Sequence, residues 1–170
     1  MSLFDSLQQF LNTGGDVLWI IFGVSICLWS LIAERLVYFK QSFPKQREQW
    51  LLGWEKRVDK NSPRALFIRE AIVSEAKISM GKTVPIIKML VALCPLLGLL
   101  GTVTGMIHVF DVMAVTGTGN ARAMASGVSQ ATIPTMAGMV VAIAGLYFSK
   151  LIEQRVSDET HHLTDLLQYH

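Results

Sequence analysis

Charged side chains are scarce in this sequence of 170 residues: they make up 16% of it, whereas hydrophobic residues make up 51%. A soluble domain of the same length carries about 25% charged residues. Three segments, 17–33, 89–110 and 128–148, contain no Asp, Glu, Lys or Arg. Apolar segments of about this length are typical of helices that cross a bilayer. The shortage of charge therefore argues against a soluble domain and predicts an integral membrane protein.

Cysteine is also scarce, and both cysteines, Cys27 and Cys94, fall within apolar segments. A disulfide framework requires exposed cysteines that can pair, so we interpret these two as small packing residues. No Lys or Arg precedes the first apolar segment, whereas a cleavable signal peptide begins with a basic region. We therefore expect neither a disulfide-stabilised domain nor a cleaved leader.

The sequence lacks the residue combinations that are typical of catalytic and ligand sites. The Gly-rich stretch Thr116–Asn120 has no Lys after it, as a phosphate-binding loop would. The tail histidines His161, His162 and His170 do not have a metal-ligand spacing. Acidic residues interrupt the basic stretch, which argues against nucleic-acid binding. We expect a protein that is not an enzyme, with no catalytic residues, no cofactor, no metal ion and no nucleic-acid partner.

The basic residues are unevenly distributed: twelve of the fifteen Lys and Arg residues lie between Arg35 and Lys88, and none precedes Asp16. Basic loops of membrane proteins stay on the cytoplasmic side. We therefore predict an all-α integral membrane protein whose three transmembrane helices extend into a cytoplasmic helical region, with a periplasmic N-terminus and a cytoplasmic C-terminus. The parts of this single domain, 1–170, are a periplasmic amphipathic helix at 1–15, transmembrane helices at 17–39, 89–110 and 128–148, a cytoplasmic helical loop at 40–85, a periplasmic loop at 111–127 and a cytoplasmic tail at 150–170.

The cytoplasmic loop has apolar residues at mostly helical spacing, including Trp50 and Trp54. The sequence Asn61-Ser62-Pro63 interrupts this pattern and is typical of the start of a new helix. Because tryptophan side chains need apolar surroundings, we expect a packed helical hairpin here instead of a disordered linker.

Small residues recur along one side of the second and third apolar segments. In the second segment these are Gly98, Gly101 and Gly105, and the third contributes Gly138. A small residue at every fourth position lets the backbones of two membrane helices approach closely. We expect these glycines to be helix-packing positions.

Polar side chains within these segments are hydroxyls and one amide: Thr102 in the second, and Ser129, Gln130, Thr132 and Thr135 in the third. The Gln130 amide is costly to bury in lipid, so its face should contact water or another protein helix. Hydroxyls and amides cannot hold a proton near neutral pH. If this chain is part of a proton-conducting protein, another subunit must therefore supply the carboxylate.

His108 lies near the outer end of the second apolar segment, three residues before Asp111. Two interpretations remain open. The side chain is either an interfacial histidine solvated among lipid headgroups, or a group through which protons enter.

Three segments together resemble the MotA/TolQ/ExbB proton channel family. Cys94–Gly105, with the sequence CPLLGLLGTVTG, is similar to the family pattern P-x-x-G-L-x-G-T-V-x-G. Ser129–Ile143 resembles the motif of the family's third membrane helix, and Glu34-Arg35 resembles an acidic–basic pair that follows its first. The similarity covers all three apolar segments and is closest to the ExbB branch, including the short forms of additional TonB systems.

This resemblance implies a homopentamer in the inner membrane of a Gram-negative bacterium. It implies that the second and third membrane helices line a pore, with Thr102 and Thr135 facing it. The pore would hold helices of an ExbD-like subunit whose membrane Asp carries the proton. A TonB-like protein would use the energy for import across the outer membrane, including iron uptake, and membrane lipids would surround the assembly. At Gln130 many ExbB sequences have Glu, and an amide cannot titrate there.

Two alternatives remain beside this ExbB-type interpretation. One is a TolQ subunit of the Tol-Pal envelope system. It would have the same kind of pore, because the partner subunits, and not the pore, determine the function of the complex. A membrane assembly scaffold without an ion path would use the same glycine packing but would not need its threonine hydroxyls.

Overall fold

The computed structural model describes residues 8, 15–57, 60, 62–117 and 121–169. Within these ranges the main elements are four helices, which we number α1 to α4. They are α1 (Gly15–Glu55), α2 (Pro63–Gly81), α3 (Val84–Thr116) and α4 (Ala121–Tyr169). The predicted all-α fold class is confirmed.

Three helical stretches are long and apolar enough to cross a membrane: Gly15–Glu55, Pro63–Val115 and Met124–Leu167. Each of them contains one of the apolar segments predicted to be transmembrane. Large apolar side chains on these helices point outward, among them Leu96 and Ile143, which are 62% and 69% exposed. Apolar surface of this kind is suited to lipid or to a neighbouring membrane helix.

The predicted break in the basic region is confirmed. Helix α2 begins at Pro63, and Ser62 is its N-cap, with its hydroxyl accepting a hydrogen bond of 3.3 Å from the Ala65 amide. Proline suits the first position of a helix because that position has no helical partner for an amide hydrogen. The serine oxygen satisfies one of the free amides of the first turn.

The connection between the second and third apolar segments contains more helix than the predicted loop 111–127. Helix α3 continues to Thr116 and α4 already begins at Ala121. Gly117 follows α3 with a positive φ of 81°, and its amide donates to the Met113 carbonyl at 2.9 Å. A glycine in this conformation is a common helix end. The charged Asp111 ends the apolar pattern but does not end the helix.

The predicted amphipathic helix 1–15 lies almost entirely outside the described residues. Gly15 is described, and it begins α1 with a φ of 73°. Asp16 follows in the first turn of α1, where the partial positive charge of a helix N-terminus favours a carboxylate.

The chain divides into two compact units. The span unit comprises Met1–Trp29 and Met89–Leu146, and the basic unit comprises Ser30–Lys88 and Tyr147–His170. Within the described part of the span unit, apolar side chains such as Leu28, Val91 and Cys94 are buried.

The basic unit has an apolar core of its own. Buried side chains from three helices form it: Phe43, Trp54, Ala65, Ala76, Met80, Leu163 and Leu167. Trp50 is partly buried against this cluster. The expectation that the tryptophans of the basic region have packing partners is therefore confirmed.

Arg35 is a buried cation within the basic unit and is 6% exposed. Its guanidinium donates to the Thr83 hydroxyl at 2.7 Å and to the Ser79 carbonyl at 3.1 Å, and the Glu34 carboxylate lies 3.2 Å away. The last carbonyls of a helix have no amide partner within it. Arg35 therefore caps the end of α2 and connects α1 to the short turn that leads into α3.

Candidate functional site

The two threonines predicted to face a pore lie together between α3 and α4. The Thr135 hydroxyl donates to the Gly98 carbonyl at 2.9 Å, and it also forms a hydrogen bond with the Thr102 hydroxyl. Thr102 lies 3.4 Å from the same carbonyl. Both threonines are partly buried. We call Gly98, Thr102 and Thr135 the threonine site.

Glycine makes this close approach possible. A Cβ atom on Gly98 would lie 2.9 Å from the Thr135 Cα, and one on Gly138 would lie 2.5 Å from the Cys94 carbonyl oxygen. Real Cβ contacts of that length essentially do not occur, and neither obstacle is a flexible side chain. The absence of side chains at these two positions therefore sets the spacing of α3 and α4.

The other two predicted packing glycines face α4 further along α3. A Cβ on Gly101 would lie 2.5 Å from the Pro134 Cβ, and one on Gly105 would lie 2.6 Å from the Ala131 Cβ. All four glycines therefore lie where α3 and α4 approach each other, with the threonine site among them.

The hydrogen bonds of the threonine site determine what it can bind. Each hydroxyl has one hydrogen. If Thr135 donates to the Gly98 carbonyl, Thr102 donates to the Thr135 oxygen. In the reverse arrangement, Thr102 donates to the Gly98 carbonyl and Thr135 donates to the Thr102 oxygen. In both arrangements the two hydrogens are used within the chain. The site then offers only oxygen lone pairs to an outside group, so a water molecule or a protonated carboxylic acid could donate to it, whereas an ionised carboxylate could not.

Ser129 and Thr132, the other predicted partner-facing hydroxyl residues, are not part of this site. The Thr132 hydroxyl donates to the Ser129 carbonyl at 2.8 Å, and both residues are exposed. A hydroxyl bonded to its own helix in this way is a common local arrangement. Thr102 and Thr135 therefore form a hydrogen-bonded pair between two helices, whereas the hydrogen bond of Thr132 stays within its own helix.

Gln130 and His108 line a cleft of about 440 Å³ in the span unit. We call it the Asp16 cleft, after the acidic residue that α1 contributes. Its lining consists of Gly15, Asp16, Val17, Gly101, Thr104, Gly105, His108, Val109, Gly127, Gln130 and Ala131. Two side chains that the sequence singled out separately therefore line one cavity.

Sequence reasoning did not identify Asp16 or Thr104 as residues of this cleft. Asp16 precedes the first apolar segment by one position, which gives no information about its distance from His108. Thr104 donates to the carbonyls of Leu100 and Gly101 at 3.0 and 3.1 Å. Only the packing of three helices brings these residues to one cavity.

Among the residues that the structure describes, no three His, Cys, Asp or Glu side chains are grouped so that they could hold a metal ion. One ion-pair cluster lies in the basic unit, where Lys88 approaches Glu153 to 2.7 Å and Lys150 approaches it to 3.5 Å. The hydrogen bond from Lys88 and the positive charges of both lysines lower the pKa of the Glu153 carboxyl below its ordinary value. These side chains are well exposed, so water weakens the pairs.

Comparison with known proteins found one family. The sequence model of the MotA/TolQ/ExbB proton channel family matches residues 44–165. Two proteins of Synechocystis sp. are similar over shorter stretches. “Putative biopolymer transport protein ExbB-like 1” is 44% identical over 70 residues, which are 39% of this chain and 28% of the relative. “Putative biopolymer transport protein ExbB-like 3” is 41% identical over 64 residues, 36% of this chain and 30% of the relative. The matches thus span less than a third of either relative.

Proposed function

Because the chain belongs to the MotA/TolQ/ExbB proton channel family, we propose that it is an ExbB-type channel subunit. In this proposal it surrounds a partner subunit in the inner membrane of a Gram-negative bacterium and provides the wall of a proton path. The complex then couples the proton motive force to TonB-dependent import across the outer membrane.

The threonine site supports this proposal most directly. It places two hydroxyls side by side in the second and third apolar segments, where the sequence contains no Asp, Glu, Lys or Arg. Such a site can stabilise a proton carried by another group but cannot carry one itself. A protonated carboxylic acid from a partner helix has the hydrogen that the site can accept.

The proposed partners are further copies of this chain, an ExbD-like subunit and a TonB-like protein. Five copies would surround helices of the ExbD-like subunit, whose membrane Asp would reach the threonine site. The names of both Synechocystis relatives contain “ExbB-like” and “biopolymer transport”, which supports an ExbB-type role.

Partner capture tests the proposal. The full chain, tagged at its C-terminus, is purified from its native membrane in mild detergent, and the complex is weighed by native mass spectrometry. We expect five copies of this chain with a small single-span protein that has one Asp in its membrane helix. A point variant of that Asp to Asn should abolish import driven by the proton motive force.

Two other results would change the assignment. Recovery of TolR and TolA in place of an ExbD-like and a TonB-like protein would make the chain a TolQ subunit. A complex without any partner that carries a membrane carboxylate would indicate an assembly scaffold without an ion path.

A further inference from the structure

The Asp16 cleft contains ionisable groups that the threonine site lacks. Asp16 comes from the first turn of α1, His108 from α3, and the neutral Gln130 from α4. These are the charged, titratable and amide side chains of the lining, and all three residues are exposed. Asp111 follows the lining residue Val109 closely in sequence, and Arg122 shortly precedes the lining residue Gly127, but neither Asp111 nor Arg122 lines the cleft. Among the described residues that line the cleft, Asp16 is therefore the only one with a formal negative charge.

The backbone of α4 has an irregularity one turn after Gln130. Pro134 has no amide hydrogen, so the Gln130 carbonyl lacks the donor that normally bonds to it one turn later. A freed carbonyl within a membrane helix is tolerated where water or a neighbouring helix satisfies it. The described lining of the cleft therefore includes a carboxylate and an amide oxygen that can accept hydrogen bonds.

We propose that the Asp16 cleft is a water-filled vestibule that attracts small hydrated cations, hydronium among them, to the end of the membrane bundle where α1 begins. Asp16 supplies the attracting charge. The His108 imidazole accepts one proton from hydronium, which leaves as water, and later returns the proton to another water molecule in the cleft. This role deepens the proposed function, because it gives the chain its own proton-collecting group upstream of the partner's carboxylate.

The volume of the cleft agrees with this role. Liquid water occupies about 30 Å³ per molecule, so a cavity of about 440 Å³ has space for a cluster of waters as well as an ion. Imidazole can accept and release a proton near neutral pH, which none of the other lining groups from α3 and α4 can do.

Thiol chemistry in native membranes tests this proposal without requiring import. Gln130→Cys is introduced into a chain in which Cys27 and Cys94 are replaced by Ala. The complex is treated, from each side of the membrane in turn, with a positively charged and a negatively charged methanethiosulfonate reagent. We expect Cys at 130 to react from one side only and faster with the cation. Asp16→Asn should lower the cation-to-anion rate ratio on the order of fivefold, because one unit charge is lost from the cavity.

A second measurement concerns His108. Protonation adds a positive charge to the cleft, so the cation-to-anion rate ratio should fall as the pH is lowered from about 8 to about 5. In His108→Gln this fall should disappear. The use of a ratio removes the effect of pH on the thiol itself, since both reagents attack the same thiolate.

Thr132→Cys is the matched control, because it lies on the same turn of α4 but outside the cleft. Its rate ratio should not depend on Asp16. The proposal is wrong if Cys at 130 is unreactive from both sides, or if its rate ratio is the same with Asp and Asn at position 16. If the cysteine-free background does not assemble, the native chain carrying Gln130→Cys is used, with the labelling of the native chain subtracted. A failed partner capture would leave these labelling results unchanged, so the two proposals can fail separately.

Discussion

At the residue scale, the threonine pair is the part of the chain on which proton transfer should depend most. Thr135 has the central position, because its hydroxyl contacts both the Gly98 carbonyl and Thr102. Thr102 is the more peripheral member, since its own distance to that carbonyl is 3.4 Å. The two residues should therefore not respond equally to removal of the hydroxyl.

Valine has the shape of threonine without the hydroxyl, so we predict that Thr135→Val and Thr102→Val each impair import driven by the proton motive force, the first more strongly. Loss of a neutral hydrogen bond costs about 1 kcal/mol of folding free energy, which should leave the proposed pentamer assembled. Thr135→Ser should retain activity because it keeps the oxygen. The measurements are uptake by intact cells and native mass spectrometry of the purified complex.

Thr132→Val is the control for this prediction. Its hydroxyl donates to a carbonyl of its own helix, so its loss should affect uptake little. Normal uptake in both Thr102→Val and Thr135→Val would contradict a pore-lining role and favour the scaffold without an ion path. Equal loss in all three variants would indicate that threonine hydroxyls matter for helix stability alone.

At the element scale, the contact between α3 and α4 depends on glycine at defined positions. A Cβ on Gly138 would meet the Cys94 carbonyl oxygen at 2.5 Å and the Gly98 Cα at 3.3 Å. Both obstacles are backbone atoms, which cannot rotate away. The two helices could accept a methyl group there only by moving apart, and that movement would also separate Thr102 from Thr135.

We therefore predict that Gly138→Ala lowers the stability of the complex by about 1–3 kcal/mol, the usual cost of overpacking. The midpoint of thermal unfolding in detergent measures the effect. Gly23→Ala is the matched control, since a Cβ at that helical position would have nothing within 4 Å. Alanine is the better helix former by up to about 1 kcal/mol, so this variant should be neutral or slightly more stable. Equal destabilisation by both variants would contradict close packing at Gly138.

The helices show which boundaries a sequence can predict. The start of α2 was predictable because Ser62 and Pro63 act locally, through a cap and a fixed φ. The end of α3 was placed too early, because hydrophobicity decreases at Asp111 while the backbone stays helical until Gly117. Loss of apolar character marks the edge of a membrane segment, whereas a helix ends only where backbone geometry changes.

The candidate site was predictable to a smaller extent. Thr102 and Thr135 were singled out through the family resemblance, since either hydroxyl could have bonded to its own helix. The Asp16 cleft was not predicted, because it combines residues from three helices that are far apart in sequence. Tertiary packing, and not local pattern, decides which polar groups share a cavity.

At the scale of the whole molecule, the proposed function makes the chain the wall of a proton path but not its central carrier. The apolar segments 89–110 and 128–148 have no carboxylate, and their one histidine, His108, lies toward one end. The threonine site accepts hydrogen bonds and cannot titrate. Proton transfer through the middle of the membrane should therefore require a second kind of subunit.

Because the carboxylate would come from a partner subunit, proton conduction should differ between vesicles with and without that partner. The purified chain alone should conduct protons no faster than empty liposomes when a membrane potential is imposed, measured with a pH-sensitive dye inside the vesicles. The complex with its ExbD-like partner should conduct, and Asp→Asn in the partner's membrane helix should return the flux to the empty-liposome level. Conduction by the chain alone would place the carrier in this chain. In that case His108→Gln would be the first variant to measure, because His108 is the only histidine of the two apolar segments.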